Sequence, residues 1–442
     1  MAEIFPFRGV SYDPARAGEF EKLVTQPYDK ISPTLRQQYL ASSPYNIARL
    51  ICAAPEGTEL KGHFEQVAET YNKWLEEGVL VRSDKPALYP YHQTYKVPGS
   101  GETRTRKGFV ALGKLHDYSD GVVRPHEKTH SGPKVDRLEL TRATTSQFGQ
   151  LFMLYPDPES SVNAVLEKAT AGASPMIEVT EGDGIVHRMW RIDDPEAIEQ
   201  VRKLMADRSL YIADGHHRYE TACTYYREMA AKGVKIEGNE AVDRAMMSFV
   251  SAHDPGLSVL PTHRVLFGLD GFSTDDLLGR LEADFDISEA GEPTAKNLLA
   301  ALEKISSGEG NKLVLAARGS ENLFVLSLKN TADAEKLIPG EGSARWKRLD
   351  VNVLHKLILE DRLGISPEDL EHQRNVAYLR DPVEALEMVT SPGKYQAVFF
   401  LNPTGVQEVL DIADNGEFMP QKSTDFYPKM LTGMVINKLN LG

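Results

Sequence analysis

The sequence predicts a mixed α/β fold, and three stretches of the 442-residue chain carry this prediction. Residues 210–213 form a short apolar run. Apolar side chains then recur at steps of three and four as far as Ala230, the pattern of a buried strand followed by a helix. Residues 86–118 alternate between apolar and polar side chains around the turn-rich "PGSGET", which indicates a hairpin. The hairpin argues against a purely parallel sheet.

The third stretch lies beyond about residue 270, where acidic helical segments alternate with the short strands "KLVLAA", "NLFVLSL" and "QAVFFL". This change of texture predicts an N-terminal mixed α/β region over 1–270 and a C-terminal α/β region over 271–442, with 419–433 completing the site of the first. The spacing of apolar residues predicts further helices at 14–25, 59–78 and 196–207.

Composition limits the classes of function. Lys and Arg number 50 and Asp and Glu 64, so the formal net charge is −14. Nucleic acids and anionic membranes are therefore not expected as partners, because binding to either depends on excess positive charge. The N-terminus lacks a cationic segment followed by a long apolar core, and no apolar run reaches the ~18 residues of a membrane helix.

The chain contains two cysteines, Cys52 and Cys223, too few for a disulfide framework. This count predicts a reducing, cytoplasmic location. Cys223 falls among the apolar positions of the predicted helix, so we expect it to lie in the core.

The strongest functional signal is the segment "ADGHHRYETA", where Gly215 makes a tight turn between the strand and the helix. His216, His217 and Arg218 then occupy the first turn of the helix, where backbone N–H groups point outward and the dipole attracts anions. Cationic side chains oppose that dipole unless an anion lies between them. The turn therefore predicts a phosphate site, with Asp214 placed to cap the helix, orient a histidine or help to hold Mg²⁺.

The pentapeptide of Asp214–Arg218, with Ala222 four residues on, resembles the phosphate-binding turn of the ParB/sulfiredoxin-like superfamily. The nuclease and partition-protein branch has Gly-Glu-Arg-Arg there, and the sulfiredoxin branch has Gly-Cys-His-Arg. The free-serine kinase branch has Asp-Gly-His-His-Arg, which this chain reproduces. His216 stands where sulfiredoxins carry their thiol, so thiol-phosphate chemistry is not expected.

The whole chain also resembles an uncharacterised prokaryotic family, domain of unknown function 1015. The resemblance rests on the landmarks "FPFRGVSYDP", "TQPYDKIS", "RPHEKT", "KVDR", "DGHHRYETA", "LPTHRVL" and "MPQKSTDFYPK". Together the two resemblances imply a ParB/sulfiredoxin-like nucleotide-binding core with large additional mixed α/β segments.

The kinase resemblance implies an ATP- or ADP-dependent phosphotransferase that uses Mg²⁺ and phosphorylates the hydroxyl of a small amino acid, with free L-serine the leading candidate. Such a site needs groups that hold the phosphates, a divalent cation and a base for the acceptor proton. His217 and Arg218 are assigned to the transferring phosphoryl group. Because a glutamate is the base in the kinase branch, Glu127 is the first candidate here.

A second polar segment, "VVRPHEKTHSGPKVDR", is expected to be a loop. Its His126 and His130 fit a zinc-peptidase pattern, but that pattern requires a helix and Ser131-Gly132-Pro133 would end one within a turn. The alternative is an anion site with a nearby base or metal carboxylate. The anion ligands expected from it are Arg124, His126, Lys134 and Arg137, and the carboxylates are Glu127 and Asp136.

Three smaller patches supply further candidates. Asp29 in "TQPYDKIS" belongs either to a plain turn or to a substrate or metal contact. His263 and Arg264 enter a strand and are expected to be cofactor ligands. The segment 419–433 offers Lys422, Ser423, Thr424 and Lys429 for a phosphate or carboxylate, or else forms a buried turn anchored by Phe426 and Tyr427.

Two other classes of function remain open. A metal-dependent hydrolase would use His126, His130 and the histidines of the turn as ligands. A non-catalytic module would bind a nucleotide at the same turn without reacting. The sequence leaves open the acceptor, the choice between ATP and ADP, and whether the chain forms a homo-oligomer.

Overall fold

The computed structural model describes residues 2–55, 57–128, 132–330, 334–420 and 422–441, and it confirms the predicted mixed α/β class. The chain divides into two compact units. The first unit contains 1–125, 129–258 and 428–442, and the second contains 126–128 and 259–427. This division differs from the predicted boundary at 270, because the C-terminal segment returns to the first unit and a tripeptide near residue 127 belongs to the second.

The strands of the described residues are, in chain order, β1 (Ile4–Phe5), β2 (Val10–Tyr12), β3 (Leu80–Arg82), β4 (Tyr89–Lys96), β5 (Thr103–Lys114), β6 (Val123–Arg124), β7 (Ser146–Gln147), β8 (Leu151–Tyr155), β9 (Ile177–Thr180), β10 (Val186–Met189), β11 (Leu210–Asp214), β12 (Arg244–Ser251), β13 (Ser258–Leu260), β14 (His263–Phe267), β15 (Phe285–Glu289), β16 (Lys312–Ala317), β17 (Phe324–Leu328), β18 (Val376–Leu379), β19 (Tyr395–Phe400), β20 (Asp425–Tyr427) and β21 (Asn437–Lys438).

The helices of the described residues are α1 (Pro14–Ala17), α2 (Pro33–Ser42), α3 (Ala48–Ile51), α4 (Leu60–Glu76), α5 (Gly132–Thr144), α6 (Ser161–Thr170), α7 (Pro195–Ala206), α8 (His216–Ala231), α9 (Thr274–Leu281), α10 (Ala295–Ser306), α11 (Ala334–Leu337), α12 (Ala344–Lys347), α13 (Asp350–Val353), α14 (Pro367–Glu371), α15 (Pro382–Thr390) and α16 (Val406–Asp414). A π-helix covers Leu354–Arg362, and short 3-10 helices cover Phe20–Lys22, Tyr28–Lys30 and Tyr118–Asp120.

The first unit is built on a nine-stranded mixed sheet of order β6-β11-β8-β12-β5-β4-β10-β9, with β1 also paired to β5. The pairs β6–β11 and β8–β12 are parallel, and the other pairs are antiparallel. The predicted hairpin over 86–118 is confirmed as β4 and β5. Phe109 of β5 and Phe249 of the neighbouring β12 stack with their ring centroids 5.1 Å apart, and both are fully buried.

Two predicted elements differ from the structure. The helix expected over 14–25 is interrupted after α1, because Gly18 adopts a φ of +92°, a positive value that a right-handed helix cannot contain and that glycine tolerates. The segment expected to be a polar loop becomes α5 from Gly132 onward. A proline in the first turn of a helix costs no hydrogen bond, so Pro133 begins this helix instead of ending one.

The second unit contains a six-stranded antiparallel sheet of order β15-β17-β16-β19-β14-β18. Its strands β16, β17 and β19 correspond to the three short apolar runs predicted beyond residue 270. Helices α10 and α15 pack on this sheet through buried residues such as Leu298, Ile305 and Leu386. In neither unit do the described residues include a helix with the length and hydropathy required to cross a membrane.

In the loop after β12, the structure leaves no room for a side chain at Gly256, so we expect the stability of the protein to depend on glycine there. A Cβ atom there would collide with backbone atoms of Thr105 and Arg106 on β5, which cannot move without breaking the sheet. Gly256→Ala is therefore expected to lower the free energy of unfolding by about 1 to 3 kcal/mol, measured by urea denaturation. Gly182→Ala, whose Cβ meets open space, is the control and should change it by less than about 0.5 kcal/mol. Equal effects of the two substitutions would contradict this interpretation.

Candidate functional site

The turn that links β11 to α8 has the predicted geometry. Leu210, Tyr211, Ile212 and Ala213 are buried in the sheet, and the strand ends at Asp214. Gly215 adopts a φ of +99°, and α8 begins at the next residue. A side chain at Gly215 would also meet the guanidinium of Arg218 at 2.9–3.0 Å, so the turn requires glycine for both reasons.

Asp214 does not cap the helix, because Gly215 is the N-cap residue and no side chain caps it. Its carboxylate instead accepts from Arg218 Nη2 at 2.7 Å and lies 3.6 Å from Lys429 Nζ. Burial raises the pKa of Asp214, but Lys429, Arg218 and Lys30 lower it by more, so it lies well below its ordinary value. Three permanent cations thus act on this one carboxylate.

Arg218 links the turn to the rest of the first unit. Its Nη1 donates to the main-chain carbonyl of Gln150, and its side chain is 16% exposed. Arg218 therefore holds Asp214 on one side and the start of β8 on the other. His216, which also lowers the pKa of Asp214, is buried beside it at the start of α8.

A pocket that is open to solvent lies beside this turn within the first unit. Arg218 and Arg137 both line it, so the fold brings together two of the predicted anion ligands. The pocket is otherwise largely apolar, with aromatic walls from Tyr28, Phe148 and Tyr225. The Arg137 guanidinium carbon lies 4.2 Å from the centroid of the Tyr28 ring, a cation–π distance.

The other predicted residues of α5 make contacts within the first unit. Lys134 forms an ion pair with Glu220 of α8. Asp136 accepts from Arg137 Nε at 2.9 Å and from the Ala54 amide at 3.3 Å. These contacts tie α5 to α8 and to the segment after α3.

Arg124 ends β6, which runs parallel to β11, and it pairs with Tyr211 in the ladder. Its guanidinium donates to Gly121 O at 3.1 Å and to the Tyr211 hydroxyl at 3.4 Å. His217, one residue into α8, is half-buried and accepts from Thr221 Oγ1 through its carbonyl at 2.8 Å. The cofactor-binding roles of Arg124 and His217 stay predictions.

Other predicted site residues belong to the second unit. His126 Nε2 lies 2.9 Å from Thr424 Oγ1, and the backbone of Glu127 pairs with that of Met419. Lys422 is exposed with a φ of +58°, and the Ser423 hydroxyl donates to Pro420 O. His126 is thus a neighbour of Thr424, and the cofactor-binding roles of His126 and of residues 422–424 stay predictions. The role of Glu127 as a base stays a prediction, and His130 lies outside the described residues.

His263 and Arg264 are interior residues of the second unit. His263 is fully buried and accepts from the Leu401 amide, and burial lowers its pKa to about 3. Arg264 is 1% exposed and donates to Thr262 O, to Lys422 O at 3.2 Å and to His355 Nε2 at 3.2 Å. Burial lowers the pKa of Arg264 to about 10. These contacts hold the 422–424 segment, and binding of a cofactor by either residue stays a prediction.

The predicted Mg²⁺ ligands fit a metal only in part. Among the described residues, no three His, Cys, Asp or Glu side chains are grouped to hold a metal. Mg²⁺ bound with a nucleotide keeps several waters and takes oxygens from the phosphates, so one protein carboxylate is enough. Both predicted carboxylates face cations, Asp214 the side chains of Arg218 and Lys429 and Asp136 that of Arg137, so binding of Mg²⁺ by either stays a prediction.

Sequence reasoning missed Lys30 and did not connect Lys429 with the turn. In the segment "TQPYDKIS" the residue chosen from the sequence was Asp29, which is exposed. The next residue, Lys30, is the one that lowers the pKa of Asp214. Both lysines are more than 180 residues from Asp214, so no local pattern links them to it. The sequence signal that could have identified the two lysines is that each lies in a segment used for the family resemblance, "TQPYDKIS" for Lys30 and "MPQKSTDFYPK" for Lys429.

Cys223 lies in the hydrophobic core of the first unit, as predicted. Burial raises the pKa of its thiol to about 11. Because the thiolate is the nucleophilic form, this cysteine is unsuited to covalent chemistry near neutral pH.

Comparisons with known proteins gave one family and several solved structures. The model of the family described as "Protein of unknown function (DUF1015)" matches residues 4–352. A conserved hypothetical protein from Pyrococcus furiosus is 17% identical, with a TM-score of 0.30 over 69% of this chain and 87% of that one. A free serine kinase variant in complex with ADP is 14% identical, with a TM-score of 0.33 over 69% and 84%.

SbnI with a C-terminal truncation, from Staphylococcus aureus, is 12% identical, with a TM-score of 0.33 over 73% of this chain and 85% of that one. No curated protein matches the sequence. At these scores the structural likenesses carry no argument about activity.

The lowered pKa of Asp214 predicts a specific dependence of stability on pH. Its folded-state pKa lies below the ordinary value of 3.8, so its charge stabilises the protein fully above that pH, and the contribution is lost as pH falls below it. Asp214→Asn should lower the free energy of unfolding by about 1.5 to 3 kcal/mol near neutral pH. The difference from wild type should shrink on acidification, as measured by urea denaturation.

The control for this experiment is Asp84→Asn, which removes an exposed carboxylate of the same unit. Its difference from wild type should be small at each pH. A difference for Asp214→Asn that stays constant down to about pH 2.5 would show that the charge of Asp214 does not stabilise the turn.

Proposed function

The chain belongs to the family of unknown function DUF1015, and we propose from the residues of its own site that it is a nucleotide-dependent phosphotransferase. The observation that carries this proposal is the turn at Asp214–Arg218. There α8 begins at His216, and the Asp214 carboxylate pairs with Arg218 and lies 3.6 Å from Lys429, beside an open pocket.

The turn suits a polyphosphate for electrostatic reasons. The first N–H groups of α8 have no acceptor within the helix, and the helix dipole adds positive potential at the same point. Arg218 and Lys429 place two permanent positive charges beside the one negative charge of Asp214. A phosphate bound here would receive several charge-assisted hydrogen bonds from groups that Asp214 already holds in place.

The neighbouring pocket suits the nucleoside of the same ligand. Its aromatic walls offer faces on which a planar base can stack, and Arg137 and Arg218 line it on the polar side. One nucleotide would then place its base in the pocket and its phosphates on the turn. The resemblance of Asp214–Arg218 to the free-serine kinase branch supports ATP or ADP as this ligand.

The proposed reaction transfers the terminal phosphoryl group to the hydroxyl of a small amino acid, with L-serine the first candidate. The hydroxyl oxygen forms a bond to the terminal phosphorus while the bond between that phosphorus and the bridging oxygen breaks. ATP then leaves as ADP, or ADP leaves as AMP. A carboxylate takes the hydroxyl proton, and Glu127 is the first residue to test. Mg²⁺ brought with the nucleotide would neutralise charge on the phosphates.

Within the turn the division of roles follows from the contacts. Arg218, His217 and Lys429 would stabilise the negative charge that spreads over the transferring group in the transition state. Asp214 would hold Arg218 and Lys429 in position before the nucleotide arrives. Such preorganised cations need no rearrangement during the reaction, which is the source of their catalytic effect.

Loss of a cation from the turn should remove most activity. Arg218→Ala and His217→Ala are each expected to reduce turnover by about 100-fold or more, because each removes a group that stabilises transition-state charge. Formation of ADP or AMP from the nucleotide measures this. Arg227→Ala is the matched control, since this arginine of α8 forms an exposed pair with Asp117 and should keep full activity. Wild-type turnover in both turn variants would end the proposal.

The acceptor class is tested by incubating the protein with ATP or ADP, Mg²⁺ and a panel of amino acids. Hydroxyl amino acids should accelerate nucleotide consumption, and mass spectrometry should detect O-phosphoserine in the serine reaction. Tight nucleotide binding without any product would instead identify a sensing module. Stoichiometric zinc in the purified protein, with hydrolysis independent of nucleotide, would identify a metal-dependent hydrolase.

A further inference from the structure

A buried row of polar side chains crosses the edge of the large sheet, away from the turn. In the antiparallel pair of β10 and β4, His187 lies opposite Gln93, and Tyr91 lies two residues along on the same face of β4. His187 is fully buried, and Gln93 and Tyr91 are 1% and 2% exposed. The proposed reaction uses none of them.

These side chains form a continuous hydrogen-bonded chain with Glu181. The Glu181 carboxylate lies 2.7 Å from His187 Nε2, and the Tyr91 hydroxyl lies 2.7 Å from His187 Nδ1. A carboxylate only accepts, so Nε2 of His187 carries the proton and Nδ1 accepts from the Tyr91 hydroxyl. Gln93 Nε2 also lies 3.4 Å from Nδ1, so both ring nitrogens of the imidazole have hydrogen-bond partners.

Both ends of this chain leave the sheet and contact segments that carry site residues. At one end, Gln26, four residues before Lys30, donates through Nε2 to the second Glu181 oxygen at 3.4 Å. At the other end, Leu431, two residues after Lys429, donates through its amide to the Tyr91 hydroxyl at 3.2 Å.

A parallel arm holds the same C-terminal segment. Gln93 Nε2 donates to Lys429 O at 2.9 Å. The buried Arg106 donates through Nε to Gln93 Oε1 at 3.1 Å and through Nη2 to Pro428 O. The main chain on both sides of Lys429 is therefore fixed by side chains of β4 and β5.

We propose that Glu181, His187 and Tyr91 form a positioning relay that holds the 26–30 and 428–431 segments, so that Lys429 stays 3.6 Å from the Asp214 carboxylate and Lys30 stays within range of its charge. The inference rests on the proposed function, since it assigns the relay to the phosphate site. A buried row of acid, imidazole and phenol carries a large desolvation cost, which packing alone would not require. Its two ends meet the two segments that bring the distant lysines to the turn.

The test is a double-mutant cycle on affinity for ADP with Mg²⁺, measured by calorimetry. Tyr91→Phe removes the acceptor of the Leu431 amide at nearly constant volume and should weaken binding about tenfold. In a Lys429→Ala background the same substitution should change affinity by less than about twofold, because the lysine that the relay positions is gone. An equal tenfold loss in both backgrounds would overturn the relay.

Tyr95→Phe is the matched control. Tyr95 lies on the same strand, and its buried hydroxyl donates to Gly256 O at 2.8 Å, far along the chain from Lys429. Its loss should lower stability and leave the affinity for ADP unchanged. A tenfold loss of affinity in Tyr95→Phe would show that general loosening of the sheet explains the effect. Glu181→Gln, at a 16% exposed side chain, gives a milder variant should Tyr91→Phe not fold.

Amide hydrogen exchange separates this inference from the proposed function, because it needs no ligand. In Tyr91→Phe the amide of Leu431 should exchange about tenfold faster than in wild type, and in Tyr95→Phe it should be unchanged. If wild type binds no nucleotide, the proposed function falls and the exchange result alone decides whether the relay holds this segment. Unchanged exchange at Leu431 would overturn the relay even if the protein proves to be a kinase.

Discussion

The ionic cluster around Asp214 is the constraint on which the candidate site depends. One carboxylate at the end of a buried strand attracts Arg218 from the following helix and Lys429 from the end of the chain. Without that carboxylate, the cations would repel one another and the positive end of α8. Asp214 therefore makes the accumulation of positive charge stable before any anion binds.

The sheet determines where this cluster forms. Strand β11 lies between β6 and β8, and its last residue, Asp214, still pairs with Phe152 of β8, so the carboxylate lies at the end of a rigid scaffold. A glycine with positive φ then turns the chain directly into α8. Because the backbone has almost no freedom between Ile212 and His216, the positions of the carboxylate and of the helix N-terminus are coupled.

The local parts of this architecture were accessible from sequence, and the long-range parts were not. The strand, Gly215 and α8 follow from periodicity and from the conformational freedom of glycine, all within about twenty residues. The prediction of a loop over the first residues of α5 was wrong, because it treated Pro133 as a residue that ends a helix rather than as a residue of the first turn. The convergence of Lys30 and Lys429 on Asp214 depends on sheet order and on the path of the last segment, which no local pattern encodes.

The return of residues 428–442 to the first unit has a consequence for biosynthesis. The ribosome makes this segment only after it has translated the whole second unit. Until then the first unit lacks Leu431 and Lys429, the main-chain partners of Tyr91 and Gln93 on β4. A truncated translation product ending before Pro428 would lack Lys429, so a prematurely released chain could not assemble the charge cluster at all.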